Sequence, residues 1–208
     1  MLKIWGRTSS SNVMKVLWLC DELGVAYERI DAGGAFGRTR DPDYLAKNPN
    51  ALVPTIEEED GYTLWESNSI LRYLCNTRPG GAALYPSTPR ERADVERWMD
   101  WQLSRVNGPM TTIFFTYVRT PEKDRDLAAA AKARDAAEEL WRILDAQLAG
   151  RDFIAGSAFT IADIALGIQA YRWFNLPIER ADLANLRGWY ERLGQRPAYR
   201  KHVMVPMS

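Results

Sequence analysis

Asn50-Ala51-Leu52-Val53-Pro54-Thr55-Ile56, answered nine residues on by Trp65-Glu66-Ser67-Asn68-Ser69, is the stretch that decides the fold. The Val53-Pro54 step opens a short apolar run at Thr55 and Ile56. A polar turn covers Glu57 to Gly61, and a second run from Tyr62 to Leu64 leads straight into Glu66-Ser67, where an apolar helical pattern begins. The spacing predicts a tight hairpin whose second strand delivers Glu66 and Ser67 to a helix N-terminus. Such a terminus has unpaired backbone N–H groups and the positive end of the helix dipole, so it suits a carboxylate.

Upstream, Leu2 to Trp5 alternates as a short strand. Val13, Val16, Leu17, Cys20 and Leu23 recur at helical spacing, Gly24 ends that helix, and Tyr27 to Ile30 forms a second strand. Strand–helix–strand over about thirty residues is a βαβ unit with a parallel pair and a right-handed crossover. A glycine- and charge-rich loop spans 33–42, and a short helix is expected near Tyr44 to Lys47. With the hairpin and a helix from Glu66 to about Asn76, the pattern reads βαβ-α-ββα.

Downstream, Pro79, Gly80, Gly81, Pro86 and Pro89 mark a linker. Everything beyond reads as helix. Arg90 to about Tyr117 carries Val95, Trp98, Met99, Leu103 and Val106, and Glu122 to Leu148 is alanine-rich. Thr160 and Asp163 have capping-box spacing, which assigns Asp163 a structural role at a helix start. A last helix covers about Leu183 to Gln195, stopped by Pro197. The expected architecture is an α/β domain over 1–78, a linker over 79–89 and an all-α domain over 90–208.

Lys plus Arg equals Asp plus Glu at 27 each, so the totals offer no basic face for nucleic acid. No apolar run approaches the ~20 residues of a membrane span, and the first residues read as a strand rather than a secretory signal. Cys20 and Cys75 fall in apolar helical patterns and are expected as buried, reduced thiols of a cytoplasmic protein. A single histidine, His202, argues against a His-built metal site or triad, and no metal is expected. The tryptophans at 98, 101, 141 and 189 sit at helical positions and read as core or interface.

Val-Pro, a hairpin-length interval and Glu-Ser opening a helix together resemble the glutathione site of the glutathione S-transferase family. The likeness runs from Leu2-Lys-Ile-Trp to Arg196-Pro197 and is nearest to bacterial theta-like glutathione transferases. It implies a thioredoxin-like N-terminal domain followed by an all-α domain, glutathione as cosubstrate, and a cytoplasmic homodimer with a role in detoxification. A cis-proline at Pro54 would turn the Val53 backbone toward the cysteinyl backbone of glutathione, as an added strand does. Glu66 would hold the α-amino group of the γ-glutamyl arm, and Ser67 with the helix N–H groups its α-carboxylate. Trp65 and Tyr73, with the helices from Arg90 and Glu122, would supply the dimer interface.

The loop Gly6-Arg-Thr-Ser-Ser-Ser-Asn12 would then face the glutathione sulfur. By itself, a Ser/Asn run before an apolar helix is an N-cap region. By resemblance, Ser10 falls where theta- and delta-like enzymes place their catalytic serine, and Asn12 where some fungal and bacterial relatives use asparagine. Ser10 is the first candidate and Asn12 the second, with Ser9 and Ser11 open as thiol donors and Ser11 counted among the glutathione contacts. The absence of a tyrosine or cysteine here points away from tyrosine-using and glutaredoxin-like chemistry. Arg7, Met110, Phe114 and Trp173 are candidates for a second-substrate pocket, with Tyr117 and Phe174 beside them and Arg7 as an anion contact. The implied reaction is attack of the glutathione thiolate on an electrophilic small molecule, a halogenated one among the options. A glutathione-binding stress or scaffold protein of the same fold is the alternative.

Overall fold

The computed structural model describes residues 1–207; Ser208, the last residue of the expected helical domain, lies outside the described residues. The first strand, β1 (Leu2–Trp5), is followed by helix α1 (Ser11–Leu23) and strand β2 (Tyr27–Ile30). The two strands pair in parallel, with Leu2 opposite Tyr27 and Trp5 opposite Ile30. Gly24 closes α1 in the left-handed region at φ 64°, which a residue without Cβ adopts freely. After a one-turn helix, α2 (Pro42–Leu45), the hairpin β3 (Thr55–Glu57) and β4 (Thr63–Trp65) completes a sheet of order β2-β1-β3-β4. Ile56 stands opposite Ile4 on one side and Leu64 on the other, so register and apolar pattern agree.

Helix α3 (Ser67–Thr77) follows directly. The expected linker is not wholly irregular: a one-turn helix, α4 (Gly81–Leu84), sits inside it. Gly81 is obligatory there, because a Cβ would fall 1.9 Å from the Cys75 carbonyl oxygen. Helix α5 (Pro89–Trp101) passes through a π-helical turn at 102–106 into α6 (Asn107–Phe114), and a second π turn covers 115–119. Each π turn widens the helix and rotates the side chains after it away from strict α-helical phase. Then come α7 (Leu127–Leu148), capped by the Asp126 carboxylate accepting from the Ala129 N–H, α8 (Ile161–Asn175) and α9 (Ala184–Gly194). Pro197 does not end the chain's helical content. It occupies the first turn of a further helix, α10 (Pro197–His202), where its missing N–H costs nothing.

Helix α1 lies between the sheet and the helical bundle and is buried on almost every side from Val13 to Cys20. Trp18 packs on Tyr199 and Phe159, at 4.7 and 5.6 Å between ring centroids. Its indole N–H donates to Glu22, which also takes a two-point bond from Arg196 at 2.8 and 2.6 Å. The capping box is formed. Asp163, fully buried, accepts from the N–H groups of Ile154 and Thr160, the Thr160 hydroxyl and the Trp189 indole. These contacts make the C-terminal bundle a platform that holds α1, and therefore the loop before it, in place. Among the described residues no helix is long and apolar enough to cross a membrane.

Candidate functional site

Two helix N-termini meet beside the sheet. Ser10 is the N-cap of α1, in extended conformation, with its hydroxyl making no capping bond. Glu66 is the N-cap of α3 and has φ 71°, ψ 106°, a region that costs a non-glycine residue roughly 1–3 kcal/mol. That backbone bend turns β4 into α3 within one residue and leaves the Glu66 side chain exposed, with no ion pair or hydrogen bond among the described residues. The Ser67 hydroxyl, almost fully buried, donates to Asn12 Oδ1 at 3.2 Å and so ties the start of α3 to the start of α1.

A narrow cleft runs along this junction, lined by Asn12, Val53, Pro54, Trp65, Glu66 and Ser67 with Asn48, Asn50 and Leu52. The Val53-Pro54 peptide is cis. The loop before it is pinned from beneath: the Leu52 carbonyl accepts from the Tyr44 hydroxyl at 2.6 Å and from Asn48 Nδ2 at 2.9 Å. Both side chains also reach the Thr55 hydroxyl. A larger cavity of about 360 Å³ opens on the other side of Asn12, walled by Arg7, Ser9, Ser10, Ser11 and Asn12 from the loop. Asn107, Thr111, Phe114, Phe115, Arg119 and Arg172 close it from the bundle. Asn12 lines both hollows.

The structure thus brings Ser10, Ser11, Asn12, Val53, Pro54, Glu66 and Ser67 around one junction, and puts Arg7 and Phe114 on the larger cavity's wall. Met110 and Trp173 are not on it. Both are fully buried, Trp173 packing on Trp141 at 6.0 Å. Their chain neighbours Thr111 and Arg172 form the wall instead. Met110 on α6 and Trp173 on α8 belong to the core face of their helices, one residue round from the cavity face. Trp98, Trp141 and Trp189 are likewise core.

Three functional candidates carry no local signal in the sequence: Lys15, Arg119 and Arg172. Lys15 is fully buried one turn into α1, and its ammonium donates to Asn68 Oδ1 at 3.1 Å and Gln102 Oε1 at 2.9 Å. Asn68 belongs to the first turn of α3 and Gln102 to the first π turn, so the lysine joins three elements behind the junction. Burial pushes its pKa down to about 7, with Glu66 pulling up and Arg172 pushing down. Arg172, about nine-tenths buried, lies with its guanidinium 3.8 Å from the centre of the Phe114 ring. Burial and Arg119 lower its pKa to about 10. The same two causes lower that of Arg7.

Cys20 and Cys75 are buried free thiols, away from this junction. Among the described residues no three His, Cys, Asp or Glu side chains gather in a group that could hold a metal ion.

The family model for the glutathione S-transferase N-terminal domain matches residues 1–76, and that for the C-terminal domain matches 107–197. The chain is similar to glutathione S-transferase GstB of Escherichia coli strain K12, 41% identical over 209 residues and covering 100% of both chains. Among solved structures it resembles the theta class glutathione S-transferase of the citrus canker pathogen Xanthomonas axonopodis pv. citri with glutathione bound. That likeness has TM-score 0.95 and 47% identity, over 100% of this chain and 99% of the other. The apo form of that enzyme matches with TM-score 0.85 and 42% identity, over 100% and 98%.

Proposed function

Given that this chain belongs to the glutathione S-transferase family and is a transferase, we propose that it binds glutathione in the narrow cleft and activates its thiol at Asn12 and Ser10. The observation that carries this is the position of Asn12, shared by the two hollows and bonded to Ser67. In this reading Glu66 meets the α-amino group of the γ-glutamyl arm. The Ser67 hydroxyl and the first N–H groups of α3 meet its α-carboxylate, and the Val53 backbone pairs with the cysteinyl residue, with Pro54 and Ser11 beside it. The unpaired Glu66 carboxylate and the free helix start supply the two signs that a zwitterionic arm requires.

The sulfur then lies where the cleft opens into the larger cavity. A free thiol has pKa near ~8.5, so little of it is thiolate at neutral pH. A donor to the thiolate contributes roughly 1.5–3 kcal/mol, or about one to two pKa units at ~1.36 kcal/mol each. One well-placed hydroxyl or amide therefore brings the thiol pKa to about neutrality, and the N-terminus of α1 acts in the same direction to favour the thiolate. The thiolate attacks an electrophilic carbon held in the larger cavity. The protein supplies positioning and thiol activation.

Detoxification, a cytoplasmic setting and a homodimer belong to the same proposal. The exposed Tyr62 and Trp65 on the hairpin and Leu103 in the first π turn support the dimer as apolar surface a partner subunit would cover. The test is the ultraviolet absorbance of bound glutathione thiolate, titrated over pH in wild type, Ser10→Ala and Asn12→Ala. A bound-thiol pKa about one unit or more below that of free glutathione, moved back by either substitution, supports the reading and names the donor. Tight binding with an unshifted pKa would leave a glutathione-binding scaffold and remove the catalytic reading.

A further inference from the structure

We infer that the larger cavity selects an anionic electrophile, a carboxylate or similar oxyanion gripped by Arg7, Arg119 and Arg172 while its reacting carbon faces Ser10 and Asn12. This rests on the glutathione-transferase reading and specifies its second substrate. Three guanidinium groups share one cavity of about 360 Å³ whose lining includes no Asp or Glu. None of the three makes an ion pair or a side-chain hydrogen bond among the described residues. Elsewhere on the chain Arg29, Arg72, Arg78, Arg97, Arg134, Arg142, Arg187 and Arg196 have acidic partners. Arg92, Arg125, Arg180, Arg192 and Arg200 donate to backbone carbonyls, and Arg38, Arg40, Arg90, Arg105 and Arg151 are exposed to solvent. With 27 basic and 27 acidic residues, this local excess is not inherited from overall charge.

Arg172 makes the strongest case. It is about nine-tenths buried, and burying a guanidinium without an anion is costly. The Phe114 ring is shared: Arg172 lies 3.8 Å and Arg119 5.7 Å from its centre. Contact with a ring face holds the guanidinium plane but leaves its N–H donors, which lie in that plane, free to grip a carboxylate in two-point fashion. Mutual repulsion among Arg7, Arg119 and Arg172 and the buried Lys15 behind them is relieved when an anion docks. A purely structural role is a poor account, because a methionine would fill the same space without the charge. The apolar walls offered by Phe114 and Phe115 suit an aromatic or acyl body on that anion.

The step balances without a further reactant. For para-carboxybenzyl chloride, the thiol proton leaves to solvent and sulfur forms a bond to the benzylic carbon. The carbon–chlorine bond breaks, and chloride departs with its electron pair.

The test is calorimetric binding of glutathione, S-(para-carboxybenzyl)glutathione and S-(para-carbamoylbenzyl)glutathione to wild type, Arg172→Met and Arg119→Met at low and high salt. The two conjugates are isosteric and differ by one charge. Wild type is expected to bind the carboxylate roughly tenfold or more tightly than the amide, with the gap narrowing at high salt. Each variant is expected to bring the ratio toward one; Arg119, exposed at the end of its helix, provides a variant that folds if Arg172→Met does not. Equal affinities in wild type, or a ratio unchanged in the folded variants, would overturn the proposal while the glutathione reading stands. Equal weakening of glutathione and both conjugates in the variants would assign the arginines to glutathione's own carboxylates and also overturn it. Failure of wild type to bind glutathione at all would instead sink the underlying reading.

Discussion

The Ser67 hydroxyl donates to Asn12 Oδ1 across 3.2 Å, so the residue that opens α3 sets the orientation of the residue beside the expected thiol position. With Oδ1 engaged, the Asn12 amide nitrogen is the end left to donate. Ser67 thereby has two tasks in the proposed site, its one hydroxyl proton being shared in a three-centre bond between the γ-glutamyl carboxylate and Asn12 Oδ1.

Ser67→Ala should therefore weaken glutathione binding by about tenfold and also raise the pKa of the bound thiol, the loss of one hydrogen bond being worth ~0.5–1.5 kcal/mol and more when the acceptor is charged. Ser10→Ala should change the thiol pKa with little effect on affinity. Binding and thiolate titrations on both variants separate the two effects. If Ser67→Ala costs affinity alone, the bond to Asn12 has no part in thiol activation.

Lys15 provides a pH prediction. Its folded-state pKa is about 7 against an ordinary 10.5. Between those values the unfolded chain holds the proton and the folded chain does not, so stability rises with pH across that window. Below about pH 7 the lysine is charged in both states and the whole cost of burying the ammonium is present. Above pH 9 the buried thiols oppose this: Cys20 and Cys75 are raised from 9.0 to about 12, so the folded state holds their protons longer and stability falls with pH there. From pH 7 to 9 the wild type should gain about 1–2 kcal/mol from Lys15, and Lys15→Met should lose that slope. Urea unfolding of both proteins at the two pH values measures it, and parallel slopes would show that the buried lysine stays charged throughout.

What the sequence made legible was local. The alternation of Leu2–Trp5, the Gly24 cap, the hairpin length before Glu66-Ser67 and the Thr160–Asp163 box each lie within a few residues and each has one physical reading. Pro197 was misleading because a proline both halts a preceding helix and suits the first turn of the next, and only the packing of α10 on α1 decides between them. Met110 and Trp173 were misplaced because a count of apolar residues cannot tell the core face of α6 or α8 from the adjoining cavity face, which Thr111 and Arg172 occupy. Lys15 was invisible for a different reason. Its partners Asn68 and Gln102 lie 53 and 87 residues away, and nothing between Met14 and Val16 marks a lysine that is buried rather than solvated.

The two cysteines should be silent in the folded protein. Burial pushes both thiols up to about 12, and the Asp21 carboxylate adds to the effect at Cys20. An aromatic disulfide reagent at neutral pH should leave both unlabelled over the time in which a small thiol reacts fully, and should label both in denaturant. Rapid labelling of the native protein would reopen a thiol-exchange activity, which the Cys20→Ser, Cys75→Ser double variant would then have to abolish.

Asp163 should be the most sensitive acidic residue for stability, although it lies away from the candidate site. Each of its carboxylate oxygens accepts two hydrogen bonds: Oδ1 from the Ile154 N–H at 3.0 Å and the Trp189 indole at 2.8 Å, Oδ2 from the Thr160 N–H at 2.8 Å and its hydroxyl at 3.1 Å. Alanine would leave all four donors unpaired in the core, with an expected cost of about 3–5 kcal/mol. Asparagine keeps the Oδ1 pair, while its amide faces the Thr160 N–H and leaves that one donor unpaired, and the Thr160 hydroxyl can rotate to accept. Its cost should therefore be smaller, about 1–3 kcal/mol. The carboxyl pKa is pushed up by burial in spite of its hydrogen bonds, so the charge itself is held at a cost and losing it softens the asparagine penalty further. Denaturant unfolding should rank the proteins wild type, Asp163→Asn, Asp163→Ala, with turnover per folded molecule retained in the asparagine variant. An alanine variant as stable as wild type would mean that this network holds no tension between α8, α9 and the loop before them.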